Sequence, residues 1–113
     1  MARLPYVTRD MVPEEFQEAY NEVTGGDVIT VGPGSMTIYS PEMARRRAGL
    51  TAYLRYETTF PRRILELTII ATARAMDCPF IWNDHVTAAR NEGVSDALID
   101  ALRDKQPLPD IGD

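Results

Sequence analysis

Cysteine, histidine and tryptophan each occur once in this chain, as Cys78, His85 and Trp82. A lone cysteine excludes an intrachain disulfide, so nothing argues for an oxidising compartment. One histidine and one cysteine are too few ligands for a metal site within one chain. Neither a metal nor another cofactor is expected. No apolar run approaches the ~20 residues needed to cross a bilayer, and no secretory h-region opens the chain. The expectation is a cytoplasmic protein without a membrane partner. Basic residues are in the minority, twelve Lys and Arg against seventeen Asp and Glu, for a net charge of −5. Nucleic acid is a poor partner for such a surface, because binding it depends on neutralising phosphates.

What is present suits one domain across all 113 residues. A chain of this length can bury roughly 65% of its unfolded surface, enough for one modest core. The pattern is all-α, with five helices. The first follows Val12-Pro13, carries Phe16, Tyr20 and Val23 as an apolar stripe, and stops at Gly25-Gly26. Residues 26–40 read as a long extended loop, of a length that often belongs to a binding site. Ser40-Pro41-Glu42 opens the second helix, with serine as N-cap and proline at the first position. It is expected to run through Arg55 or Tyr56 and to offer Met43, Ala44, Leu50 and Leu54 for packing. The Arg45-Arg46-Arg47 run reads as a solvated face.

Pro61 opens the third helix, over about 61–76, where Leu65, Leu67, Ile69, Ile70, Ala71, Ala73, Ala75 and Met76 set apolar groups nearly all round the axis. Such a helix is expected in the middle of a core. Glu66 shares a face with Ile69, Ile70 and Ala73, and a carboxylate among those neighbours needs a partner. The fourth helix starts near Cys78-Pro79 and runs to Glu92, with Gly93 as its stop. Ser95 caps the fifth, which buries Leu98, Ile99 and Leu102, and Gln106-Pro-Leu-Pro-Asp reads as terminator and tail.

Glu66, Cys78, Trp82 and His85 carry the chemistry. Histidine titrates within the physiological range and is tuned readily by a carboxylate, so Glu66 and His85 on adjoining helices could form an acid–base pair. Cys78, Trp82 and His85 stand at i, i+4 and i+7 on one face. Seven residues of rise separate Cys78 from His85 by about 10 Å, too far for a direct thiol–imidazole contact. Cys78 occupies a helix N-terminus, where the dipole favours negative charge. The same residues also suit plain packing: a histidine satisfied in the core, a cysteine as a small buried hydrophobe, a tryptophan as filler. Spacing alone leaves both readings open.

The segments VGPGSMTIYSPEMARRRAGLTAYLRYE and FPRRILELTIIATARAMDCPFIWNDHVTAARNEGVSDALIDALR, together about residues 32–103, resemble the carboxymuconolactone decarboxylase family, which shares the AhpD-like fold. Residues 1–31 are then an N-terminal helix and loop, and 104–113 a tail. The most specific matches are Arg63-Ile64-Leu65-Glu66-Leu67 and the Trp82-x-x-His85-x-x-x-Ala89 run. The resemblance implies a helical subunit assembled into a homotrimer or homohexamer, with active sites near subunit interfaces. In the family's peroxidase branch a glutamate, a Cys-x-x-Cys pair and a histidine act together. Glu66, Cys78 and His85 match three of these, but the second cysteine falls on Ile81. A dithiol cycle therefore cannot run.

The decarboxylase branch needs no dithiol, and its aromatic run ending in Trp-x-x-His is closer to Phe80–His85. The resemblance thus implies loss of carbon dioxide from a small carboxylated lactone or related acid, with His85 delivering the proton and Glu66 orienting it. Arg74 or Arg63 would anchor the substrate carboxylate. Trp82, Ile81 and the 26–40 loop, with Ile38 and Tyr39 at its end, would line the pocket. Alternatives are single-thiol redox chemistry at Cys78 and a non-catalytic helical binding or assembly module. Longer relatives continue past the Pro-Leu-Pro stretch, so the chain is expected to be either a short member or a fragment.

Overall fold

A computed structural model describes residues 4–110. Helices are the only regular elements among them. They fall into two compact units, within Met1–Thr58 and Thr59–Asp113. In the first, two 3₁₀ turns, Arg9–Met11 and Glu14–Phe16, lead into α1 (Gln17–Thr24). A short α2 (Gly34–Thr37) precedes α3 (Pro41–Ala52). Val7, Val12, Tyr20, Ile38 and Ala44 form the core, with Val23 against it. Tyr20 is buried without penalty because its hydroxyl donates to the carbonyls of Val7 at 3.0 Å and Asp27 at 3.4 Å. α1 ends where Gly25 takes φ +65°, and its N–H bonds the carbonyl of Asn21.

Several expectations need correction here. The 26–40 connection is not extended throughout, because Gly34–Thr37 closes into one helical turn. The first helix begins as 3₁₀ rather than α structure. Ser40 stands at the N-cap of α3 but makes no side-chain cap bond, so Pro41 alone marks the start. α3 also stops being α-helical at Ala52, and Tyr53–Glu57 continue as a π-helical turn, closed by Thr58 N–H on the Tyr53 carbonyl at 3.1 Å. Of its expected packing residues only Ala44 is buried, while Met43, Leu50 and Leu54 stay exposed. The basic run faces solvent, and Arg45 and Arg46 both bond Glu42, at 2.6 and 2.9 Å.

The second unit is a three-helix arrangement of α4 (Arg62–Ala75), α5 (Pro79–Asn91) and α6 (Asp96–Arg103). The short link between α4 and α5 folds the second back along the first. Ile70, Ala89, Val94, Leu98 and Ile99 form its core, with Leu67, Trp82, Val86 and Leu102 packed on it. Ser95 caps α6 as expected, its hydroxyl accepting from Leu98 N–H at 3.3 Å.

All three helices end in the same way. In each, a residue with positive φ lets the next N–H reach back five residues: Asp77 with Cys78 to Ala73, Gly93 with Val94 to Ala89, Lys105 with Gln106 to Ala101. α4 departs from its expectation, because only Glu66, Ile70 and Ala73 are buried. With α5 and α6 covering one side, Ile64 and Met76 remain exposed on the other.

Candidate active site

Glu66 lies one turn inside α4 and His85 midway along α5, so the antiparallel fold-back brings them level. His85 Nδ1 stands 2.8 Å from Glu66 Oε2. The side chains are only 4% and 10% exposed. An ionised carboxylate can only accept, so with Glu66 ionised the contact requires a proton on Nδ1 and leaves Nε2 outside the pair. Burial in a low-dielectric surround strengthens such a charge-assisted bond and makes either partner costly to leave alone. Asp84 Oδ2 stands 3.6 Å from Nε2, beyond hydrogen-bond distance yet close enough for charge to matter. Asp84 was not singled out from the sequence, although its adjacency to the one histidine was a visible signal.

Cys78, a free thiol, occupies the N-cap position of α5 and is half-buried. It forms part of the wall of two cavities. One, of about 420 Å³, is bounded by Ala73, Arg74, Asp77, Cys78, Pro79, Trp82 and Arg103. The other, of about 310 Å³, is apolar and lies against Thr68, Ile69, Thr72, Met76 and Ile81. Arg74, Trp82 and Cys78 thus come together around one cavity, and Ile81 joins Cys78 at the other. Neither Glu66 nor His85 lines either one.

The two arginine candidates differ in surroundings. Arg74 Nε donates to the carbonyl of Arg103 at 2.7 Å and Nη1 to Asp77 at 2.6 Å. Arg63 Nε is a buried donor without a hydrogen-bond partner among the described residues. Ile38 is fully buried in the first unit's core, so its side chain is taken up by packing rather than lining a pocket. Tyr39 belongs to that unit too, and its hydroxyl donates to the Pro5 carbonyl. Arg103, brought in by α6, gave no sequence signal, since only tertiary packing sets it beside Cys78 and Trp82. Among the described residues no group of three or more His, Cys, Asp or Glu side chains is placed to hold a metal ion. No helix among them is long and apolar enough to cross a membrane.

An all-helical protein with a buried carboxylate–imidazole pair bridging two antiparallel helices is the class that fold and site define. Residues 41–106 match the carboxymuconolactone decarboxylase family, and the chain belongs to it. Its helical architecture is the AhpD-like fold of that family. No curated protein and no solved structure matches the chain.

Proposed function

We propose that this protein is a carboxymuconolactone decarboxylase-like lyase acting on a small carboxylated lactone or related acid by general acid–base catalysis. The observation that carries the reading is the buried 2.8 Å contact between Glu66 and His85. In the reaction the bond between the ring carbon and the carboxylate breaks and carbon dioxide leaves. The electron pair stays behind as a dienolate, which must be stabilised and protonated. His85, protonated on both nitrogens, gives the Nε2 proton to carbon, and Glu66 stabilises the imidazolium before transfer and fixes the ring. In this reading Arg74 anchors a remaining carboxylate, with Trp82 and Ile81 packing on the ring. Cys78 contributes polarity to the wall rather than a redox cycle, because its would-be partner position is Ile81.

The reading includes a cytoplasmic homotrimer or homohexamer, supported by the apolar side chains α4 and α5 leave exposed, Ile64, Met76 and Phe80. The test is carbon dioxide release from a panel of carboxylated lactones. His85→Gln is expected to lower kcat by about 10²–10⁴-fold, the usual size of a general acid contribution. Glu66→Gln should lower kcat more than it raises KM. Turnover in the parent that survives His85→Gln would remove the mechanism, and no turnover on any member of the panel would remove the lyase assignment.

A further inference from the structure

His85 presents its two ring nitrogens to two different carboxylates. Nδ1 is held by Glu66 of α4 at 2.8 Å in the core, and Nε2 faces Asp84 Oδ2 at 3.6 Å on the solvent side. Asp84 is 66% exposed beside a histidine side chain that is only 10% exposed. Among the described residues these are the two carboxylates within ion-pair reach of the ring. The other charged groups of the helices around it are set elsewhere. α6 turns Leu98 and Ile99 to the core, and its acids Asp96 and Asp100 pair with Arg90 and Arg103. On α4, Arg62 pairs with Glu92, and Arg63, one turn before Glu66, has a buried Nε without a hydrogen-bond partner. With Glu66 holding a proton on Nδ1, a neutral ring turns the bare Nε2 lone pair toward Asp84, whereas a doubly protonated ring turns an N–H there. The Asp84 charge repels the first form and attracts the second.

We infer that Asp84 is a positioning residue of the acid–base pair, its carboxylate keeping the second proton on Nε2 of His85. The inference rests on the proposed reading of His85 as general acid and adds the group that keeps that acid loaded. In each cycle Nε2 gives its proton to the substrate carbon and takes one back from a hydronium ion or buffer acid. The Asp84 charge favours the loaded form at that second step. Glu66 and Asp84 differ in depth. The Glu66 bond is buried and fixes the ring, whereas the Asp84 charge acts at the solvent edge and is screened by salt. Asp84 lines neither cavity, so its effect reaches a substrate only through His85.

The chain has a single histidine, so its two ring nitrogens give the only imidazole signals in nitrogen-15 NMR of the full chain. The ratio of doubly protonated to neutral ring is read from the Nε2 shift at the pH where the parent is half charged. Asp84→Asn, at an exposed position, is expected to lower that ratio about 1.5- to 5-fold, the size of an exposed ion pair. Asp84→Glu, which keeps the charge, should restore most of it. The gap between parent and Asp84→Asn should narrow between about 0.01 M and about 1 M salt, as the screening length falls from about 30 to about 3 Å. An unchanged ratio in Asp84→Asn overturns the inference. So does a fall that Asp84→Glu does not repair, or one that salt leaves untouched. The readout needs no turnover. A ratio that responds to Asp84 in a protein inert toward every lactone removes the lyase and leaves the hold of Asp84 on the ring. An unresponsive ratio in an active lyase removes Asp84 alone.

Discussion

Glu66 and His85 satisfy each other in a place where neither is stable alone. Truncating one leaves a buried polar group without its partner, and that costs more than removing both. Glu66→Leu is expected to destabilise the protein by about 1–3 kcal/mol, while the Glu66→Leu/His85→Leu pair should cost clearly less than the sum of the singles. Urea unfolding of the four proteins measures this coupling, and strict additivity would mean the contact carries no energy. This pair was legible in the sequence, because a glutamate among Ile69, Ile70 and Ala73 demanded a partner and the chain offers one histidine. Asp84 beside Nε2 and Arg103 beside Cys78 were not read. An exposed aspartate within a helix has the composition of any solvated position, and Arg103 reaches its neighbours across 25 residues of chain, counted from Cys78. At the same scale, the Glu42 carboxyl is held below its ordinary value of 4.5, chiefly by the hydrogen bond from Arg46 and further by the charge of Arg45. Its folded-state pKa is depressed, so what it adds to stability is present above the unfolded value and is lost as pH falls through the folded one. The stability difference between parent and Glu42→Gln should therefore shrink as pH is lowered below 4.5, in denaturant melts across that range.

At the scale of elements, the two serine caps that look alike in sequence behave differently. Ser95 bonds Leu98 N–H, whereas Ser40 makes no such bond. Ser95→Ala should cost about 1 kcal/mol in thermal or urea unfolding, and Ser40→Ala a few tenths at most. The reason the sequence does not separate them is that capping depends on a rotamer and on φ and ψ, which residue type only permits. Helix ends show the same limit. Gly93 was readable as a stop because glycine takes positive φ without penalty, but Asp77 and Lys105 occupy the same backbone state with ordinary side chains. Asp77→Val is expected to destabilise by about 1–2 kcal/mol because a β-branched residue resists that conformation, while Asp77→Gly should be tolerated. The stretches that did read correctly, α4, α5 and α6, combine proline or serine at the start with a clear apolar face. The α2 turn had neither signal.

Among the described residues many large apolar side chains stand exposed, Ile64, Met76 and Phe80 in the second unit among them. α4 reads from its sequence as a central helix, yet within the described residues it is covered on one side only. The proposed oligomer would supply the missing cover, because a second copy can bury a face that one chain leaves open. Under the proposed assembly, Met76→Glu and Phe80→Glu, both at exposed positions, should shift the protein toward monomer in light scattering while leaving its helical circular dichroism intact. Unchanged mass in both variants would place the assembly surface elsewhere. The family-matching region carries the helices that the sequence defined best, and of the cavity walls Arg74, Cys78, Trp82 and Ile81 were legible there whereas Arg103 was not.

The division into two compact units has an optical counterpart. All five tyrosines, Tyr6, Tyr20, Tyr39, Tyr53 and Tyr56, lie in the first, and the one indole, Trp82, lies in the second and packs on its core. Tyrosine ellipticity in the near ultraviolet and tryptophan emission therefore watch different halves of the same chain. A single melt followed in both channels reads the cooperativity of the molecule with no label attached: superimposable curves mean that the halves unfold together, and separated curves that each melts by itself.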